Sequence, residues 1–430
     1  MAATPGPGEA PTRIEPPRLS HARLFFLSCF WLAYNIQWGA LIGIVVPSQI
    51  AAIAGDPHKE FFNGLIPPVG AALSLVLTPI AGALSDRSRS RFGRRRPYLL
   101  AGTAINLAFL AVLAGFTTGS RLGGFLVAYL GIQVGANWAG GPYAGLIPDL
   151  VPRDQRGSAS GWMALMMALG TLVGALSAGQ LIRGADYRPI YTLISAALLA
   201  MLLLTLWRVR EPPAAAPARP FDLGAFLRSF WLDPARYRDF YWVLATRALV
   251  TMGIYSVFTF FQYFLKDIVR VAHPEEQSSY LIGIIIAASV PTTMIGGTLS
   301  DRIGRKPLVY LSGGLMALAA VVFIAVAHFP SLALMNGVGA LFGVGYGAYL
   351  AVDWALAVDT LPGGDAHAKD MGIWHVALVL PQVVAPALTG IVLTVSKRAS
   401  LMTGYTVVFV LTALWFALGT VLVSRIRGAR

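Results

Sequence analysis

Along this chain, long apolar runs alternate with short clusters of charged and turn-forming residues. Runs such as Leu65–Ala83, Tyr98–Phe116, Leu281–Gly297 and Val407–Val423 come close to the ~20 residues with which a helix crosses ~30 Å of hydrocarbon. Cutting at the polar clusters predicts twelve helices, over residues 23–51, 62–84, 97–117, 122–150, 157–183, 188–208, 240–266, 278–300, 307–328, 330–358, 369–395 and 400–425. The expected class is an all-α membrane protein.

Composition says what solvent those helices need. Of 430 residues, 56% are hydrophobic and 12% charged, about half the charged share of a soluble domain. One globular core cannot bury that much apolar surface, so lipid is the expected surrounding. The net charge of +13 would suggest nucleic-acid binding in a soluble protein. Here the basic residues sit in short connectors without interleaved aromatics, which excludes nucleic acid as a partner and leaves membrane lipids.

The basic residues also carry orientation. Twenty-four of the 33 Lys and Arg fall in the two tails and the even-numbered connectors, eight in the odd-numbered connectors and one inside a span. The positive-inside rule then places both termini in the cytoplasm of a multi-pass protein of the cell membrane. The lone Cys29 excludes internal disulfides and cysteine metal clusters, and is expected to pack within the first span. Residues 1–22, rich in Pro, Ala and Gly, read as a disordered cytoplasmic tail. No signal-peptide cleavage pattern precedes residue 51, so the first apolar run is expected to remain as a helix.

Residues 209–239, opening on Glu211-Pro212-Pro213, form the one long connector. They divide the chain into six-helix bundles over 23–208 and 240–425, with a tail at 426–430. Within the connector, Phe221–Phe240 mixes aromatics with arginines. That segment reads either as a helix on the cytoplasmic surface or as a flexible basic linker.

The halves repeat each other. Gly82-Ala-Leu-Ser-Asp86-Arg87 leads through Gly93-Arg94-Arg95-Arg96-Pro97 after the second span, and Gly297-Thr-Leu-Ser-Asp301-Arg302-Ile-Gly304-Arg305-Lys306-Pro307 follows the eighth. Leu146-Ile-Pro-Asp149 ends the fourth span, and Leu356-Ala-Val-Asp359 ends the tenth. Parallel repeats of six spans mark a two-bundle transporter with a central site. Locally, glycine permits tight turns, an aspartate pairs with arginine or a helix N-terminus, and arginines face anionic headgroups.

These motifs resemble the major facilitator superfamily over nearly all of residues 23–425. The resemblance implies twelve transmembrane helices in two pseudo-symmetric bundles. It implies that Gly82, Asp86, Arg87, Gly93 and Arg94, with Asp149, form a cytoplasmic gating latch holding the outward-facing state, and that Asp301, Arg302, Gly304, Arg305 and Asp359 are its weaker copy. Ser85-Asp-Arg87 followed by Ser90-Arg-Phe-Gly-Arg-Arg-Arg-Pro97 is similar to the loop of sucrose–proton symporters in the glycoside–cation symporter group. Gln37-Trp38-Gly39, Pro47 and Gly141-Pro142 follow the same group. Two departures set limits: Ala144 stands where plant sucrose carriers have an arginine, and the first span holds no acidic residue.

An ionisable group at the centre of a membrane helix costs ~2.5–3.5 kcal/mol on insertion scales, so each needs a partner or a task. Arg247, Asp353 and His375 lie in the seventh, tenth and eleventh spans, at similar depths near the cytoplasmic helix ends. In one reading they couple protons: Asp353 accepts the proton, Arg247 is its ion-pair partner and His375 modulates it. In the other, Arg247 and Asp353 form a permanent salt bridge beside a hydrogen-bonded His375.

Nearer the midplane stand Gln37, Trp38, Gln133, Asn137, Tyr255 and Gln382. Amides bond hydroxyls and aromatic rings stack on C–H faces, so this set suits a neutral polyol; an anion would call for central Arg or Lys. Each residue also has a structural reading, the amides as helix–helix ties and Trp38 as packing or an interfacial anchor.

The expected function is proton-coupled movement of a small neutral solute, a sugar or glycoside, by alternating access. The alternative is a proton-driven exporter of drugs or other amphiphiles, to which Met163, Met166 and Met167 in the fifth span would contribute. A receptor on the same fold would need a longer output domain than this connector supplies. No enzymatic motif and no ATP-binding loop is present in the sequence. No cofactor or metal is expected, and the partners are a small-molecule solute, protons and membrane lipids around a monomer.

Overall fold

The computed structural model describes residues 17–211, 224, 237–360 and 367–426, apart from the side chains of 153, 298, 301, 354–355, 357–360 and 367–375. Most of the 1–22 tail and of the Phe221–Phe240 segment therefore lies outside the described residues, as do the side chains of Asp301, Asp359 and His375.

Among the described residues, twelve helices are long and apolar enough to cross a membrane. They are α1 (His21–Ala54), α2 (Lys59–Asp86), α3 (Arg96–Leu113), α4 (Leu122–Leu150), α5 (Arg156–Leu181), α6 (Arg188–Arg208), α7 (Arg238–Val269), α8 (Pro274–Ile303), α9 (Arg305–His328), α10 (Leu332–Thr360), α11 (His367–Ser396) and α12 (Leu401–Arg425). Their outer faces stay apolar where they are most open: Val127 is 63% exposed and Met294 73%. Such surface is stable only against lipid.

Packing follows the repeat. In the first half α1 lies on α5 and α6, and α4 on α2 and α3; in the second, α7 lies on α11 and α12, and α10 on α8 and α9. Across the halves α2 meets α11 and α5 meets α8. Advancing the first pair by six positions, modulo twelve, yields the second, as a pseudo-two-fold between bundles demands.

Local chemistry interrupts two helices that hydrophobicity alone suggests are simple rods, and lengthens a third. Proline has no N–H to offer the carbonyl four residues earlier, and Pro47 stands four residues after Gly43. The chain widens there into a π-turn over Leu41–Val45. Near its end α7 breaks at Thr259–Phe260, then passes through a π-turn over Leu265–Val269 that stops at Arg270, φ 59°. α2 begins at Lys59 rather than at the predicted 62, because Lys59 and Glu60 are buried between the halves and not left in a solvated loop.

With an even number of spans, both described chain ends lie on one face, here called the terminal face. The contacts joining the halves gather at the opposite, far face. There α2 touches α11 backbone to backbone: a Cβ on Gly64 would sit 2.8 Å from the Pro386 carbonyl oxygen and 2.9 Å from Gly390 Cα. Only glycine allows that approach.

Candidate functional site

At mid-depth in the first half, a chain of uncharged groups runs from α2 into α4. Thr78 donates to Asn137 Oδ1 at 2.9 Å, Asn137 Nδ2 donates to Gln133 Oε1 at 3.1 Å, and Gln133 Nε2 donates to Tyr129 at 3.1 Å. Helical spacing puts Gln133 and Asn137 on one face. Gln37 turns elsewhere: it is fully buried and accepts from Asn106 Nδ2 of α3 at 2.7 Å. Trp38 is half-buried, with its ring 6.1 Å from that of Tyr34. Tyr255 on α7 and Gln382 on α11 are half-buried in the other half. The six residues thus fall into separate groups, of which only Gln133 and Asn137 touch among the described contacts.

Closer to the terminal face, α7 and α10 bring Arg247 and Asp353 together as an ion pair, each side chain about one-tenth exposed. Tyr349, one turn before Asp353, donates to the other carboxylate oxygen at 2.7 Å. Both oxygens are therefore engaged, one by a cation and one by a neutral donor. The side chain of His375, the third member of the expected cluster, lies outside the described residues. Tyr349 was legible as the residue four before Asp353, on the same helix face.

At the terminal face, the loop between α2 and α3 is organised by Arg95. Its guanidinium pairs with Asp86 at 2.8 Å and Asp149 at 2.6 Å and donates to the Pro142 carbonyl at 3.2 Å and to Ser85 at 3.4 Å. The group lies flat on Gly145, where any Cβ would meet it at 2.2–2.4 Å. Arg94 also pairs with Asp149. Burial works against the charge on Arg94, but the hydrogen bond and charge of Asp149 outweigh it and hold its pKa above the ordinary value. Arg87 bonds back to the Ala83 carbonyl of its own helix. Gly82 lies 4.0 Å, measured from an added Cβ, from the Gly141 carbonyl. Gly93 turns the loop at φ 107°, and Glu211, at the start of the long connector, accepts from the Arg95 backbone at 2.7 Å.

The second half repeats part of this arrangement. Gly304 takes φ 90°, and Arg305 donates to Ser300 at 2.6 Å, as Arg95 does to Ser85. Arg302 is exposed. Aligned on glycine, Arg305 matches Arg94; counted back from Pro97 and Pro307, it matches Arg95. The structure follows the proline count, which points to Arg95 where the glycine alignment points to Arg94.

The far face holds a group of charges that the sequence reading did not single out. Lys59, 2% exposed, bonds Asp267 at 2.6 Å and Asp56 at 3.1 Å and lies 5.1 Å above the Tyr263 ring. Lys266 pairs with Asp56 at 2.9 Å, Lys397 with Glu60 at 2.5 Å, and Tyr405 donates to Asp267 at 2.9 Å. Its hydrogen bond to Lys266 holds the Asp56 carboxyl below the usual range, against partial burial. Tyr263 also reaches the Pro47 carbonyl at 2.8 Å, and Asn63 the Thr259 carbonyl at 2.7 Å. A signal was available: Lys59, Lys266 and Lys397 are among the few basic residues in odd connectors, where the positive-inside tendency disfavours them.

The family model described as Major Facilitator Superfamily matches residues 24–368 and 277–429. Among curated proteins, a sucrose transport protein of Arabidopsis thaliana is 28% identical over 187 residues, 40% of this chain and 36% of that protein. That match spans about a third of the relative's length. A sucrose transport protein of Oryza sativa subsp. indica is 25% identical over 86% of this chain and 81% of its own. Multidrug resistance protein MdtG of Yersinia enterocolitica is 24% identical over 74% of this chain and 75% of its own. A solved structure of a bacterial homologue of the human lysosomal transporter Spinster, inward-facing and unoccupied, superposes with TM-score 0.72 at 16% identity, over 94% of this chain and 98% of that one. At that identity the likeness speaks for the fold alone.

Proposed function

The chain belongs to the Major Facilitator Superfamily, and from that membership we propose that it moves a small neutral solute, a sugar or glycoside, with protons by alternating access. The coarse part of this reading follows from the family: the protein is a membrane transporter and not an enzyme. The finer part rests chiefly on one observation. The polar groups lining up at mid-depth, from Thr78 through Asn137 to Gln133, carry no charge, which suits hydroxyls and opposes binding of an ion.

In this reading Gln133 and Asn137 hold the solute, with Trp38, Tyr255 and Gln382 contributed from the other helices, while Gln37 supports α1 through Asn106. Protons pass by way of Asp353. Protonating it removes the charge that holds Arg247, so proton binding and the packing of α7 on α10 are linked. With the termini in the cytoplasm, the far face is extracellular and this conformation faces inward. The Arg95 cluster then belongs to the cytoplasmic latch that closes in the opposite state.

The test is uptake into proteoliposomes of a panel of labelled mono- and disaccharides, with and without an imposed pH gradient. Accumulation that needs the gradient supports the proposal. Gradient-driven extrusion of amphiphilic dyes, with no sugar moved, would replace it by the second reading, a drug exporter. The match to MdtG and the buried Met166 between half-buried Met163 and Met167 on α5 favour that rival.

A further inference from the structure

A cavity of about 820 Å³ opens at the far face, between the end of α1, the α5–α6 turn, the end of α7 and the start of α8. It stands apart from the mid-depth residues and none of them lines it. Its size falls within the ~300–1,000 Å³ of small-molecule sites. We propose that it is a second solute site, taking a neutral, hydroxyl-rich molecule that binds only while the far face is closed.

Both halves build it. Ser48, Gln180 and Arg183 come from the first half; Lys266, Glu275 and Glu276 come from the second. A hydrogen bond from Ser48 to Glu275 at 2.7 Å crosses the floor, and Tyr187 meets the same Ser48 hydroxyl at 3.0 Å. Two basic and two acidic side chains cancel, so the lining attracts neither anion nor cation as such. What it offers is donors and acceptors interleaved, the complement of a molecule whose hydroxyls both donate and accept. The choice of a sugar as occupant rests on the transport reading above; the cavity and its two-half construction do not.

Because each half supplies part of the wall, separating the halves dismantles the site. A ligand held there therefore stabilises the far-closed state by mass action. At about ten times its dissociation constant it shifts the far-closed to far-open ratio about elevenfold. The transported solute, present in excess on the far side, would slow its own entry.

The experiment measures the stoichiometry of labelled sucrose and, in parallel, labelled maltose on the full chain in lipid nanodiscs, where the sugar solution reaches both sides of the bilayer. Two sites per chain are expected. Ala272→Trp, at an exposed lining position, should fill the cavity and leave one; Ala52→Phe at a second lining position should do the same. Asn137→Ala should remove the other site and leave the cavity occupied. Self-inhibition of uptake at high external sugar should disappear in Ala272→Trp while uptake itself persists. A single site, lost with Asn137→Ala and indifferent to both cavity variants, overturns the proposal, as does no binding at all. A single site lost only with the cavity variants upholds it and instead overturns the mid-depth solute reading.

Discussion

Arg95 shows what one side chain does that its neighbours cannot. A planar guanidinium with several fixed donors reaches Asp86, Asp149, Ser85 and the Pro142 carbonyl at once; a lysine ammonium is a point charge on a flexible stem. Arg95→Lys should therefore lower the initial uptake rate by about tenfold or more, equivalent to about 1.4 kcal/mol, while membrane insertion is unchanged. Arg94→Lys, which keeps charge beside the half-exposed Asp149, should cost much less. Equal rates for the two variants would return the central role to Arg94. Asp353 poses a second residue-level question. Asp353→Asn leaves Arg247 facing an amide, and removing one partner of a buried pair costs about 3–5 kcal/mol, so expression should fall. Arg247→Gln with Asp353→Asn should restore it. If Asp353 carries the proton, the restored double variant exchanges solute without accumulating it against a pH gradient. Full gradient-driven accumulation by that variant would exclude Asp353 as the carrier.

Between elements, the contact of α2 with α11 is a backbone contact, and it leaves no room for adjustment. Gly64→Ala places a methyl 2.8 Å from the Pro386 carbonyl, so the far ends must separate. Spin labels on α2 and α11 should report a longer far-face distance and a larger far-open population; an unchanged distance would show that this contact does not hold the gate. The ion pairs around it should respond to pH in a known direction. The Asp56 carboxyl is held below its ordinary value in the closed state. Its contribution is thus fully present above that ordinary value, about 3.9, and is lost as pH falls through the lowered one. Acidification below about pH 4 should weaken far closure, slightly, because the Asp56 side chain is 67% exposed and such pairs are worth little. The same distance measurement on Lys266→Ala should lose that acid response.

For the whole molecule, the far-face charges and the topology belong together. Asp56, Lys59 and Glu60 give the first half a net charge of −1 there, and Lys266, Asp267 and Lys397 give the second +1. These six ion-paired charges cancel when the halves meet and split into −1 and +1 when they part, so closing recovers attraction that lipid-side packing does not supply. Which side of the membrane this gate faces is checked by cysteine tags in a Cys29→Ala background. Tags at Asp56 and Arg398 should label in intact cells, and tags at Ser88 and Pro217 only after permeabilisation. The reverse pattern would invert the transporter and make the conformation outward-facing.

Twelve spans, their approximate ends and the duplicated halves were legible in the sequence, because each depends only on local composition. A segment either has enough apolar residues to cross hydrocarbon or it does not, and a repeat is visible in the letters themselves. Arg247 and Asp353 could be nominated for the same reason, since charge inside an apolar run stands out, and the structure pairs them. What tertiary structure decided was register between distant segments. Gln37 looked like Gln133 in the sequence, yet one ends against Asn106 inside a bundle and the other joins the α2–α4 chain. Arg95 and the buried Lys59 acquire their tasks only from partners that packing brings to them, whereas Tyr349 meets Asp353 one turn along its own helix. The far gate is the clearest case: its charges lie in connectors that looked like ordinary solvated loops, and form a lock around the buried Lys59 and Glu60 only when α2 meets α11 and the end of α7.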